Sequence, residues 1–89
     1  MPGVTVYTTG FCGYCTQVKA LLARHGIPFT EVSVEDHPGL PGQLMARSGR
    51  RTLPQVYVGG QYIGGADELA ALDRSGELLK LIQARNDDG

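Results

Sequence analysis

Apolar and polar residues in the first part of the chain predict a strand, a helix and a second strand. Residues 4–8 are β-branched or aromatic, as strands prefer, and residues 16–24 are mostly good helix formers. Gly26 and Pro28 stop this helix. The second strand is carried by three apolar residues, Phe29, Val32 and Val34. A unit of this length predicts parallel strands joined by a right-handed crossover.

The middle of the chain predicts a loop, a short helix and a tight hairpin. Residues 37–42 are rich in proline and glycine, and only residues 43–48 have a helical pattern. Residues 55–58 and 61–63 alternate as strands around the pair Gly59-Gly60, which is typical of a two-residue hairpin turn.

The remaining apolar stripes predict two helices, at residues 66–74 and 77–84, and we expect residues 85–89 to fray. There are no internal repeats or linkers, so residues 1–89 form one domain. The element order predicts an α/β protein with a four-stranded mixed sheet and helices on both faces. This is a thioredoxin-like fold.

The chain has only two cysteines, Cys12 and Cys15, and they lie where the first strand gives way to the first helix. On a helical projection Cys15 shares an apolar arc with Val18, Leu21 and Leu22, whereas Cys12 lies beyond its edge. We therefore expect Cys12 to face solvent and Cys15 to face the core.

This asymmetry predicts different chemical roles for the two thiols. The free amides and the dipole of a helix N-terminus stabilise an anion, so Cys12 is the predicted attacking thiolate. Cys15, which is deeper and more desolvated, should stay a thiol until it resolves a mixed disulfide on Cys12.

Two structural roles for the cysteine pair are less favoured by the sequence. A disulfide between residues so close in sequence removes little entropy from the unfolded chain. A zinc site needs about four ligands, and His25 and His37 do not form a second paired ligand motif. His25 is expected to cap a helix end and His37 to lie in a loop, so no metal site is predicted.

Composition and charge exclude several other functions. The chain of 89 residues has a net charge of -1 and no basic stripe, which argues against nucleic-acid binding. No apolar run approaches the roughly 18 residues of a membrane span, and because the first strand follows Met1-Pro2-Gly3 directly we expect no leader. We expect a cytoplasmic protein, where reducing conditions favour a cycling pair over a structural disulfide.

Three separated motifs resemble those of the glutaredoxin family: Cys12-Gly13-Tyr14-Cys15, Thr52-Leu53-Pro54-Gln55 and Gly64-Gly65-Ala66-Asp67. The resemblance extends from about Val4 to Leu81. It implies a dithiol oxidoreductase that reduces glutathione mixed disulfides and protein disulfides, with glutathione consumed as co-substrate and no bound prosthetic group. It also implies that the catalytic residues are Cys12 and Cys15.

The resemblance further implies a glutathione site. A cis peptide before Pro54 would expose the backbone of Leu53, with which the cysteine of glutathione pairs like a strand. The γ-glutamyl carboxylate would bind the amides of Ala66 and Asp67, and the Asp67 carboxylate its ammonium. The implied glutathione-binding residues are Tyr14, Arg51, Thr52, Leu53, Pro54, Ala66 and Asp67.

The sequence departs from the family pattern at two positions. Many relatives have a lysine at the position of Thr9, which helps to hold the glycine carboxylate of glutathione. We expect Arg51, or else Arg50, to supply this charge. The other departure is Gly13, where proline is common and would preorganise the first helical turn.

Two alternative functions stay open from the sequence. Some family members with small residues beside the first cysteine hold a two-iron two-sulfur cluster between two subunits, with two glutathione thiolates completing the ligands. Mycoredoxins share the fold, often with a Gly-Tyr centre, and use mycothiol. The Gly-Gly-Ala-Asp segment favours glutathione, and we expect a monomer whose partners are glutathione and glutathionylated or disulfide-containing proteins.

Overall fold

The computed structural model describes residues 3–10, 12–50 and 52–88. The strands are β1 (Val4–Thr8), β2 (Phe29–Ser33), β3 (Gln55–Val58) and β4 (Gln61–Gly64). The helices are α1 (Gly13–Arg24), α2 (Leu40–Ser48), α3 (Ala66–Ser75) and α4 (Leu78–Asp88). A single 3-10 turn, Val34–Asp36, follows β2.

The four strands form one mixed sheet in the order β2-β1-β3-β4. β1 lies parallel to β2, with Val6 opposite Glu31, and antiparallel to β3, with Val6 opposite Val56. β3 and β4 form an antiparallel hairpin across Gly59 and Gly60, as predicted. The predicted four-stranded mixed sheet is therefore confirmed.

Helices cover both faces of this sheet. On one face, apolar residues of β1 and β3 pack with α1, α3 and α4 into a core that includes Val4, Val6, Val18, Leu22, Val56, Val58, Leu69, Leu78 and Ile82. On the other face the guanidinium of Arg47, in α2, lies 4.4 Å from the ring centroid of Tyr57 in β3. This packing of helices on both faces of the sheet positions the start of α1 above the carboxyl end of β1.

The loop predicted at residues 37–42 is partly helical. α2 begins at Leu40 rather than at residue 43, with Gly39 in the left-handed region at a φ of 92° before its first turn. Pro41 lies in that first turn, where a missing N–H removes no helical hydrogen bond. The prediction was wrong because proline was treated as a helix breaker. The predicted stop at Gly49 is confirmed, with a φ of 72°.

Two other predicted boundaries differ from the structure. Val34 belongs to the 3-10 turn rather than to β2, which ends at Ser33. α4 continues to Asp88, beyond the helix end predicted at residue 84, and Gly89 lies outside the described residues. Throughout the described part of the chain, no helix has the length and apolarity that crossing a membrane requires.

Candidate active site

Cys12 lies at the N-cap of α1, immediately after the loop that leaves β1. Its Sγ accepts a hydrogen bond from the backbone N–H of Cys15 at 3.2 Å. The thiol also lies 3.8 Å from the backbone carbonyl oxygen of Leu53, with which it makes a long hydrogen bond. The side chain is half-buried, so the sulfur is held at the helix start while part of it stays accessible.

Cys15, one turn further along α1, is only 2% exposed. Burial, with a smaller contribution from its hydrogen bond to Cys12, raises the pKa of the Cys15 thiol to about 11. Lys19 and a backbone hydrogen bond to Thr9 oppose this increase in the pKa without cancelling it. The predicted difference in exposure between the two cysteines is confirmed, and Cys15 is a neutral thiol near pH 7.

A cleft of about 360 Å³ opens beside Cys12, between α1, the segment before β3 and the start of α3. Its lining contains six of the residues predicted to bind glutathione: Tyr14, Thr52, Leu53, Pro54, Ala66 and Asp67. Arg50, Gly65 and Glu68 complete the lining. The other prediction, Arg51, lies outside the described residues. Three separated motifs therefore meet at one cleft.

The segment before β3 is shaped by the cis peptide between Leu53 and Pro54, as predicted. Gln55, which is only 1% exposed, fixes this segment from below. Its Nε2 donates to the carbonyl oxygens of Arg50 at 2.9 Å and Thr52 at 3.2 Å. Its Oε1 accepts a hydrogen bond from the hydroxyl of Tyr57 at 3.0 Å. Gln55 therefore sets the shape of the wall that faces Cys12.

Two glycines allow β4 and α3 to close the opposite wall. Gly64 has a φ of 149°, and a Cβ there would lie 2.5 Å from Cβ of Glu68. A Cβ on Gly65 would lie 3.0 Å from the carbonyl oxygen of Pro54. Any side chain at either position would force the walls apart, so the cleft requires this glycine pair.

The start of α3 supplies hydrogen-bond donors and charges to the cleft. Ala66 and Asp67 belong to its first turn, where backbone N–H groups have no partner within the helix. Glu68 accepts a hydrogen bond from the N–H of Gly65 at 3.1 Å and lies 3.8 Å from a guanidinium nitrogen of Arg50. This end of the cleft suits a ligand with both a carboxylate and an ammonium group.

A carboxylate occupies the neighbourhood of Thr9. The Thr9 hydroxyl donates to Oε1 of Glu35 at 2.6 Å, and the N–H of Gly10 donates to the same oxygen. These hydrogen bonds, with that of Thr9 the larger cause, lower the pKa of Glu35 below its ordinary value. A negative charge therefore lies against the loop that leads into Cys12.

A family model described as "Glutaredoxin" matches residues 4–63 of this chain. A glutaredoxin of Pseudomonas aeruginosa is 42% identical over 84 residues, which is 94% of this chain and 100% of that protein. The chain belongs to the glutaredoxin family. As a member of this family, the protein is a thiol–disulfide oxidoreductase.

Two further comparisons agree with this assignment. Glutaredoxin 3 of Escherichia coli is 40% identical over 83 residues, which is 93% of this chain and 100% of that protein. A crystal structure of the buckwheat glutaredoxin–glutathione complex has a TM-score of 0.87 at 27% sequence identity, with 96% of this chain and 80% of that chain covered. This member of the family thus has the thioredoxin-like fold predicted from its sequence.

Three residues at the site were missed by the sequence analysis in this role: Glu35, Gln55 and Glu68. Glu68 follows Gly65 by three positions, a capping-box spacing that could have indicated it. Gln55 lies among apolar strand residues, and a polar side chain there signals a buried partner. No local pattern identifies Glu35, because its contacts with Thr9 and Gly10 join segments distant in the sequence.

Proposed function

We propose that this glutaredoxin reduces mixed disulfides between glutathione and proteins, and also protein disulfides, with glutathione as the electron donor. One observation carries the proposal. The half-buried sulfur of Cys12 contacts Leu53 at the edge of a cleft whose lining brings together Tyr14, Thr52, Pro54, Ala66 and Asp67.

Glutathione fits the chemistry of this cleft at its γ-glutamyl end. In the proposed complex its carboxylate accepts hydrogen bonds from the first-turn amides of α3, at Ala66 and Asp67. Its ammonium pairs with the carboxylate of Asp67, a charge-assisted contact. Both groups therefore have a complementary partner among residues that line the cleft.

The central cysteine of glutathione would lie in extended conformation along the backbone of Leu53. The carbonyl oxygen of Leu53, which lies 3.8 Å from the Cys12 sulfur, would accept the cysteine N–H of the ligand. This pairing would bring the glutathione sulfur beside Cys12. The buckwheat glutaredoxin–glutathione complex, whose fold this chain shares, supports the same ligand class.

The first reaction step would be attack by the Cys12 thiolate on the glutathione sulfur of a mixed disulfide. A bond forms between these two sulfurs, and the original disulfide bond breaks. The substrate sulfur leaves as a thiolate and takes a proton from solvent. The N–H of Cys15, which lies 3.2 Å from the Cys12 sulfur, stabilises the negative charge before attack.

The resulting adduct on Cys12 would be resolved in one of two ways. A second glutathione thiolate attacks the adduct, forms glutathione disulfide and returns Cys12 to its thiolate. Alternatively, Cys15 loses its proton, attacks Cys12 and releases the bound thiol, which leaves an intramolecular disulfide that two glutathione molecules then reduce. Burial raises the pKa of Cys15, which disfavours its deprotonation and so favours the first route for glutathione adducts near pH 7.

A paired turnover assay tests this proposal. The purified protein is given a glutathionylated peptide with glutathione as reductant, and in a parallel reaction a mycothiol adduct with mycothiol. We expect efficient turnover in the glutathione reaction only. Turnover with mycothiol alone would assign the chain to the mycoredoxin alternative and overturn the proposed donor.

A second candidate function is an iron–sulfur dimer with glutathione ligands. The described residues contain no group of three or more side chains able to hold a metal, so the ligands would come from Cys12 of two copies and two glutathione thiolates. A Cβ on Gly13 would meet no atom within 4 Å, which leaves the helix start sterically open to a second copy.

Anaerobic reconstitution with iron, sulfide and glutathione tests this second candidate. A coloured dimer in part of the sample, suppressed in Gly13→Pro while turnover is kept, would support it. A colourless monomer under those conditions would overturn it and leave the oxidoreductase proposal unaffected.

A further inference from the structure

The carboxylate of Glu35 is attached to the active-site loop by two hydrogen bonds. Thr9 Oγ1 donates to Glu35 Oε1 at 2.6 Å, and the Gly10 N–H donates to the same oxygen. Gly10 precedes Cys12 by two positions, so its Cα lies within about 7 Å of the Cα of Cys12. The Glu35 carboxylate therefore lies against the loop that leads into Cys12, although Glu35 comes from the 3-10 turn after β2.

A second cavity adjoins the cleft on the side of α2. It has a volume of about 330 Å³, and Leu53 and Arg50 line both cavities. Its far side is formed by Val34, the neighbour of Glu35, and by residues of α2. A ligand that runs from the start of α3 across Leu53 would therefore continue toward Arg50 and Val34, and Val34 is the chain neighbour of Glu35.

If the proposed function and binding mode are correct, this direction indicates where the glycine carboxylate of glutathione would lie. Glutathione has a carboxylate at each end, and the γ-glutamyl end is matched by the start of α3. Its glycine carboxylate would then enter the region between Arg50, which attracts it, and Glu35, which repels it. Arg50 is already 3.8 Å from Glu68, so part of its charge is compensated.

We infer that Glu35 is a specificity-determining residue that opposes a terminal carboxylate at the glycine end of the ligand. The site therefore accepts disulfide substrates whose chain continues as an amide or ends in a neutral ester about as well as those ending in a free carboxylate. An extended protein segment around a disulfide-bonded cysteine belongs to this first class.

The test compares two substrates that differ only in this charge. A peptide is linked through a disulfide either to glutathione or to its glycine monoethyl ester, and kcat/KM is measured for each at low ionic strength. Glu35→Gln removes the charge but keeps an oxygen that accepts from Thr9 and Gly10. We expect this variant to raise kcat/KM about threefold for the free acid and to leave the ester unchanged.

Two further variants make the test specific. Asp36→Asn removes a neighbouring exposed carboxylate that lines a separate cleft with His37 and Pro38, and it should leave the ratio of acid to ester unchanged. Thr9→Lys places a cation beside Glu35 and should raise the same ratio at least as much as Glu35→Gln. If circular dichroism shows that Glu35→Gln folds poorly, the ratio of kcat/KM for acid and ester is measured in Thr9→Lys instead.

The outcomes separate the inference from the function on which it rests. An equal change for acid and ester in Glu35→Gln, or no change in either, would overturn the role of Glu35 while the glutathione activity stands. The same holds if Asp36→Asn changes the ratio as much as Glu35→Gln. A wild-type protein that turns over neither substrate would overturn the proposed function and, with it, this inference.

Discussion

The sulfur of Cys12 accepts a hydrogen bond from the backbone N–H of Cys15 at 3.2 Å, while the thiol of Cys15 itself is buried below the surface. The backbone amide of Cys15 therefore stabilises the sulfur of Cys12, while the sulfur of Cys15 is inaccessible to solvent. In the proposed mechanism, Cys12 would therefore attack the substrate and Cys15 would carry out the resolving step. The consequences of that division are measurable.

Serine substitutions should affect the two cysteines differently. Cys12→Ser should abolish all turnover, because Cys12 is the half-exposed cysteine and the other, Cys15, is buried. Cys15→Ser should keep deglutathionylation, since glutathione can resolve the adduct, and should lose most protein-disulfide reduction. Parallel assays on a glutathionylated peptide and on a disulfide-bonded protein check this. Equal losses in both assays for Cys15→Ser would contradict it.

The buried thiol should make stability depend on pH. Burial raises the pKa of Cys15 from 9.0 to about 11, so the folded state binds this proton more tightly than the unfolded state. Its contribution to stability is fully present below pH 9.0 and is lost as the pH rises toward 11. Urea unfolding at pH 8 and at pH 10.5 should show a larger fall in unfolding free energy for wild type than for Cys15→Ala. Equal falls would mean that Cys15 titrates normally.

Asp67→Asn should weaken glutathione binding without unfolding the protein. Removing the carboxylate that we propose to pair with the γ-glutamyl ammonium should cost about 1 to 3 kcal/mol and raise KM for glutathione. Asp73→Asn is the matched control, because Asp73 lies in the same helix but bonds Arg24 and His25 instead. It should lower stability and leave KM unchanged. An unchanged KM in folded Asp67→Asn would return Asp67 to a structural role at the helix start.

Gln55→Leu should distort the segment before β3 that forms one wall of the cleft. The substitution leaves the carbonyl oxygens of Arg50 and Thr52 without their buried donor, which should cost about 1 to 3 kcal/mol of stability. It should also reduce kcat/KM for glutathione adducts, because the segment before Leu53 loses its support. Gln61→Leu, on the exposed part of β4, is the control and should change neither quantity. Wild-type kinetics in Gln55→Leu would refute this positioning role.

Much of the fold was predictable because local patterns and tertiary structure agree. The strand residues of β1, the Gly59-Gly60 hairpin and the exposure of the two cysteines all follow from short-range preferences. The start of α2 did not follow, because Pro41 lies in a first helical turn that only its context reveals. The end of α4 was also missed, since a polar terminus gave no apolar periodicity to extend.

The same distinction between local patterns and long-range contacts applies to the candidate site. Six cleft residues were predicted from motifs, each of which is contiguous in the sequence. Glu35 and Gln55 were not, since their roles depend on contacts with Thr9, Gly10, Arg50 and Thr52 that only the folded chain creates. Resemblance thus indicated residues that line the cleft, and the structure added side chains that contact the neighbouring segments.

Trapping of the glutathione adduct tests the central claim most directly. Cys15→Ser cannot form the intramolecular disulfide, so incubation with glutathione disulfide at pH 7 should leave one glutathione on the protein, located at Cys12 by peptide mass spectrometry. Added glutathione should then remove it and release glutathione disulfide. Absence of an adduct on Cys12 in the folded variant, or an adduct that glutathione does not remove, would contradict a glutathione-dependent mechanism.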